Sequence, residues 1–154
     1  MVNPRARALN FSWVALLLLS GCGQPMGPIA GGKLTGELQA WPEDWSFTDD
    51  IEEVLLEVDP EDPYSITLWG VQDGAHFYVA GASMESRWVQ KLVADSNTVL
   101  SIEGKLYLSR ATRVVDPAVM ETVMQAYGTK YDLDREDGED FIEDGGMIFQ
   151  LAKR

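Results

Sequence analysis

With one cysteine in 154 residues, this chain has no internal disulfide framework, and with one histidine it lacks the usual ligand sets of zinc and haem centres. Basic residues are scarce as well: 12 Lys and Arg stand against 25 Asp and Glu, a formal net charge of −13. Neutralising nucleic-acid phosphates takes clustered cations, so the composition excludes DNA and RNA as expected partners. No apolar run approaches the roughly 20 residues that a membrane-spanning helix requires. What the chain does have is apolar material, 45% hydrophobic and 10% aromatic, enough for a core in about one domain. No internal repeat is evident.

The N-terminus reads as an address and not as part of the core. Arg5 and Arg7 precede the apolar run Trp13–Leu19, the charged-then-hydrophobic order of a secretory signal. The run closes in Leu19-Ser20-Gly21-Cys22, which resembles a bacterial lipobox: small residues at 20 and 21 let a peptidase grip extended backbone, and the thiol of Cys22 takes a diacylglyceryl thioether. The resemblance implies a lipoprotein signal peptide over residues 1–21, lipidation of Cys22, and residence in the cell envelope outside the cytoplasm. Gly23 in place of Asp after that cysteine resembles the sorting pattern that sends Gram-negative lipoproteins to the periplasmic side of the outer membrane. Cleavage removes Arg5 and Arg7 and no acid, so the mature domain is more acidic still, and membrane attachment is expected through the acyl chains. Gln24–Gly32, with three glycines and two prolines, reads as a flexible tether over 22–32 ahead of a domain at 33–154.

Within the domain, Leu34–Leu38 and the surroundings of Trp45-Ser46-Phe47 alternate only weakly. Ile51–Val58 alternates better and reads as a strand, with a helix as the alternative, before Asp59-Pro60-Glu61-Asp62-Pro63 ends it. Ser65–Val71 and His76–Ala80 flank Asp73-Gly74, the strongest hairpin signal in the chain. A short helix carrying Trp88, Leu92 and Val93 follows, then a second hairpin from Val99–Ile102 through Glu103-Gly104-Lys105 to Leu106–Val115. Asp116-Pro117 is a helix start, and Val119, Met120, Val123, Met124 and Tyr127 form an apolar stripe that reaches Gly128. Met147–Leu151 reads as a closing strand. Antiparallel hairpins with two helices predict a mainly-β, α+β domain, a small split β-barrel.

That order, over Ile66–Asp116, resembles the flavin-binding split β-barrel superfamily of pyridoxamine 5′-phosphate oxidase-like and deazaflavin-dependent proteins. The resemblance rests on the helix Ser86-Arg87-Trp88-Val89-Gln90-Lys91-Leu92 and the strand entry Asp95-Ser96-Asn97-Thr98-Val99. It implies a cofactor phosphate cradled at the end of the first hairpin and the helix start, at Ser83, Ser86, Arg87 and Lys91, with FMN or a related flavin as the ligand and a homodimer seam beside it. A helix N-terminus suits an anion because its amides are unpaired and the dipole is positive there. Deazaflavin-using families carry a basic, glycine-rich segment before this hairpin, whereas this chain reads Glu57-Val58-Asp59-Pro60-Glu61-Asp62-Pro63. The expectation is therefore a lipid-anchored module that binds a ligand or partner, with a flavin-dependent oxidoreductase as the alternative.

Three further features are read as structural. Asp132, Asp134, Glu136, Asp140 and Glu143 follow the oxygen-ligand count of a calcium loop, but Asp137 holds the place where the sharp turn needs glycine, so a solvated acidic loop and no metal centre are expected. His76 has no triad partners in view, and its expected role is structural. Trp41, Trp45, Trp69 and Trp88 are expected in the core.

Overall fold

Alternating apolar and polar residues close on themselves here instead of forming an open sheet. The structure, a computed structural model, describes residues 23–154; the expected signal peptide, lipobox and lipidation site at Cys22 lie outside the described residues. The elements run β1 (Glu37–Leu38), β2 (Glu53–Val58), β3 (Tyr64–Asp73), β4 (His76–Gly81), α1 (Arg87–Ala94), β5 (Asn97–Ile102), β6 (Lys105–Arg113), α2 (Pro117–Tyr131), α3 (Arg135–Glu143) and β7 (Met147–Lys153), with a 3-10 turn at Ser46–Thr48. Six antiparallel strands follow one another as β6-β5-β2-β3-β4-β7, and β7 pairs back onto β6 from Ser109↔Lys153 to Arg113↔Phe149. Closure removes the open edges that a sheet of this size would expose. β1 is an addition outside the barrel, parallel to β6 through Glu37↔Lys105.

Local chemistry explains the corners. Glu103 and Gly104 both take positive φ, 50° and 77°, giving the two-residue turn whose twist matches antiparallel strands. β3 changes partner midway: Tyr64–Trp69 pairs with β2, and Gly70–Asp73 pairs with β4. A Cβ at Gly70 would lie 2.7 Å from the Phe77 ring, so the bend takes glycine. α2 covers the bend. The Tyr127 hydroxyl donates to the Trp69 carbonyl at 3.1 Å, and the Lys130 ammonium donates to the Gly70 and Thr48 carbonyls, both at 2.8 Å. The Tyr131 hydroxyl lies 2.7 Å from the Glu52 carbonyl and accepts from the Gly70 amide at 3.0 Å.

The barrel interior is filled. Trp45 is fully buried between Trp41, Phe77 and Tyr107, with ring centroids 4.8, 5.0 and 5.3 Å away, and Leu56, Val79, Leu100 and Leu151 complete the packing. A second apolar cluster, with Val71, Tyr78, Val123, Tyr127 and Ile148, joins α2 to the barrel's outer face.

The strand reading of Ile51–Val58 holds over Glu53–Val58, which β3 and β5 pair on both sides. Three expectations change. α2 runs past Gly128 to Tyr131 and is capped by Asp132 in the left-handed conformation; Gly128 instead makes room for the Leu133 carbonyl. Two helices become three, because much of the expected acidic loop is α3. Asp134 and Asp137 form a reciprocal capping box, and Glu136 and Asp137 sit in the first turn, where the helix dipole favours them. The segment expected as a tether is fastened to the barrel: Gly31 exchanges backbone hydrogen bonds with Ser65 at 2.9 and 3.0 Å, the Ser65 hydroxyl donates to the Gly32 carbonyl, and the Gln24 amide donates to the Thr35 carbonyl.

Candidate functional site

α1 forms because Trp88, Val89 and Leu92 bury one face against the core while Arg87, Gln90 and Lys91 stay outward. Of the four predicted residues, Ser83 and Ser86 stand in the turn ahead of the helix and Arg87 opens it, whereas Lys91 lies in its last turn. Ser86 is the N-cap, but its hydroxyl makes no capping bond. The Ser83 hydroxyl accepts from the Glu85 amide at 3.0 Å, and the Ser83 carbonyl accepts from the Ser86 amide at 3.1 Å, which tightens the turn into the helix. The Arg87 guanidinium stacks 4.8 Å above the Tyr64 ring and, among the described residues, makes no ion pair.

Lys91 is occupied. Its ammonium donates to the Asp59 carboxylate at 2.6 Å, to the Asp62 carboxylate at 2.9 Å and to the Asp62 carbonyl at 3.2 Å. Three donors meet three acceptors, so the group has no hydrogen left for a ligand. Two carboxylates around one ammonium leave a net negative cluster where the fold's resemblance implies a phosphate. The pairing moves both titrations outward: the hydrogen bond from Lys91 holds the Asp59 carboxyl below the usual carboxylate range, and the hydrogen bond to Asp59 holds the Lys91 ammonium above the usual lysine range. Asp59 reaches this position with φ at 54°, a left-handed conformation that aspartate tolerates better than most residues. Asp62 is tied to it by a 3.1 Å backbone bond to the Asp59 carbonyl.

Other features fall away from α1. His76 is exposed, and its Nδ1 lies 3.0 Å from the Gln150 side-chain amide. Trp41, Trp45 and Trp88 pack in or against the core, whereas Trp69 is 48% exposed and stacks on Tyr131 with centroids 4.4 Å apart. On α3, Glu136, Asp140 and Glu143 are exposed helical positions, and Arg135 pairs with Glu139 at 2.7 Å; among the described residues no group of three acidic, histidine or cysteine side chains is placed to hold a metal. An open groove of about 1140 Å³ runs along α2 and α3. Met120, Met124, Leu133 and Ile142 line it, and Glu121 and Glu139 stand along it.

Comparison with known proteins bears on the fold. No protein-family model and no curated protein sequence matches the chain. The fold is a split β-barrel. A conserved hypothetical protein of Mycobacterium tuberculosis, Rv2991, superposes with a TM-score of 0.56 at 13% identity, over 70% of this chain and 76% of that one. HutZ, a haem storage protein of Vibrio cholerae, superposes with a TM-score of 0.54 at 15% identity, over 70% and 85%. A Listeria innocua protein provisionally named a pyridoxamine 5′-phosphate oxidase superposes with a TM-score of 0.50 at 11% identity, over 66% and 82%. At these identities the likeness is one of fold.

The residues that sequence reading missed at this site are Asp59, Asp62 and Tyr64. The acidic segment is visible in the sequence as a departure from the family pattern, but its partner is 29 residues or more away, and only the barrel's closure brings it to α1.

Proposed function

We propose that this protein is a lipid-anchored envelope module that binds a partner and carries no flavin. The observation that supports this most is the engagement of Lys91 by Asp59 and Asp62. At Lys91, where the sequence resemblance to flavin-binding split barrels implies a phosphate contact, the chain's own carboxylates take the ammonium, so binding a phosphate there requires breaking two ion pairs and bringing a third negative group beside two others. With Trp45 filling the interior, a ligand meets the protein on its outside. The groove along α2 and α3 has the chemistry for a segment that presents apolar side chains flanked by cations. A homodimer fits the same fold, one of whose similar structures is described as a domain-swapped dimer.

Anchoring at Cys22 accounts for an export signal on a domain with no long apolar helix among the described residues. Intact mass of the protein purified from bacterial membranes tests it: an acylated N-terminal cysteine is expected, and Cys22→Ser should leave an unacylated chain in the soluble fraction. An uncleaved, unacylated wild-type chain would overturn the anchor.

A flavin-dependent oxidoreductase is the second reading, favoured by the unpaired Arg87 guanidinium and the uncommitted Ser86 hydroxyl at one helix start. Under it, Arg87→Ala weakens FMN binding about tenfold, the value of a charge-assisted phosphate contact. Unchanged affinity would remove the site.

A further inference from the structure

All 25 acidic residues of the chain lie beyond residue 36; from Gly23 to Gly36 the only charged side chain is Lys33. This stretch is also where the largest exposed side chains next to Cys22 stand. Met26 and Ile29 are 72% and 65% exposed at the tip of a tight loop, although each exchanges backbone hydrogen bonds with the other at 3.0 Å. The loop is not loose. Gly27 takes φ 52° to close the turn, Pro25 is buried, and the Gly31–Ser65 bridge and the Gly23–Gly32 bond hold its base on the barrel. Across a recess of about 310 Å³, Gly27 and Pro28 face the half-exposed indole of Trp69, with Glu53 also on its wall.

We propose that this loop seats in the lipid surface, with Trp69 at the interface, and so fixes one orientation of the barrel on the membrane. The inference rests on the lipid-anchor reading. The fastened chain begins one residue after Cys22, so acyl chains at that cysteine leave almost no slack between bilayer and barrel. The surface brought against the lipid is then the one nearest residue 23. Such a surface should lack carboxylates, which head groups repel, and should offer apolar side chains that reach about 5–10 Å into the headgroup boundary, with a tryptophan at its rim. The loop itself meets these requirements, and Glu53, on the recess wall beside Trp69, marks where the seated surface gives way to the acidic, water-facing part of the domain.

The test uses the full-length protein purified with its acyl chains, in which Cys22 is thioether-linked and an introduced cysteine is the sole free thiol. Ile29→Cys and, as the distant control, Val115→Cys, just ahead of α2 at the end opposite Tyr131, are labelled with an environment-sensitive fluorophore. Each is reconstituted in phosphatidylethanolamine and phosphatidylglycerol vesicles containing lipids spin-labelled near the head group. The label at 29 should shift to the blue and lose most of its emission to the quencher, while the label at 115 keeps its emission. Acylated protein with an unquenched label at 29 would overturn the seating and leave the anchor standing; equal quenching at 29 and 115 would overturn the single orientation. Protein without acyl mass would overturn both.

Discussion

Replacing Trp45 separates two opposing effects of one side chain. The residue is fully buried in a ring of aromatics, yet among the described residues its indole N–H has no hydrogen-bond partner. Trp45→Ala empties the centre of the barrel and should cost about 3–5 kcal/mol, the usual range for large aromatic to alanine changes in a core. Trp45→Phe keeps most of the ring contacts and loses about 1–2 kcal/mol of packing and cavity energy. It also removes an orphaned buried donor whose desolvation costs about 1–3 kcal/mol. The two nearly cancel, so the phenylalanine variant should lie within about 1 kcal/mol of wild type. Urea unfolding followed by far-UV circular dichroism measures both variants, with an unchanged slope as the check that only stability has moved. If Trp45→Phe destabilises as much as Trp45→Ala, the N–H is satisfied and the bookkeeping is wrong.

Two further outcomes follow from other contacts. The ion pair of Lys91 with Asp59 makes stability depend on pH at both extremes. Because the folded Asp59 carboxyl titrates below its unfolded value, its contribution is present above about pH 4 and fades as pH falls through the folded value; because folded Lys91 titrates above its unfolded value, its contribution is present at neutral pH and fades only above about pH 10.5. Asp59→Asn should therefore unfold at lower urea than wild type at pH 7 and converge with it in acid; a gap independent of pH would refute the pairing. Tyr131→Phe keeps the stack on Trp69 but leaves the buried Gly70 amide without its acceptor, at a cost of about 1–3 kcal/mol. Hydrogen exchange should show the Gly70 amide losing protection first, and unchanged protection would show that the bend does not depend on α2.

The hairpins were legible because their information is local. Asp73-Gly74 and Glu103-Gly104 carry turn chemistry within a few residues, and the alternation on either side sets the register. α3 was hidden by its own charge: a run of acids reads as solvated loop, although Asp134 and Asp137 sit at the spacing of a capping box. The fastening of Gly23–Gly32 was invisible because its partners, Ser65 and Thr35, are chosen by tertiary placement and not by composition. At the candidate site, the one-turn spacing of Arg87 and Lys91 follows from helix periodicity. The closure of Lys91 by a loop some 30 residues earlier does not, since no local pattern reports which cation an acidic turn will meet.

The most direct measurement is a titration of the wild-type protein with FMN, followed by tryptophan fluorescence, beside the variant Asp59→Asn/Asp62→Asn that frees Lys91. The closed site predicts no saturable change for wild type at micromolar FMN and the appearance of binding in the variant. Saturable micromolar quenching of the wild-type protein would contradict it and make the oxidoreductase reading the leading one.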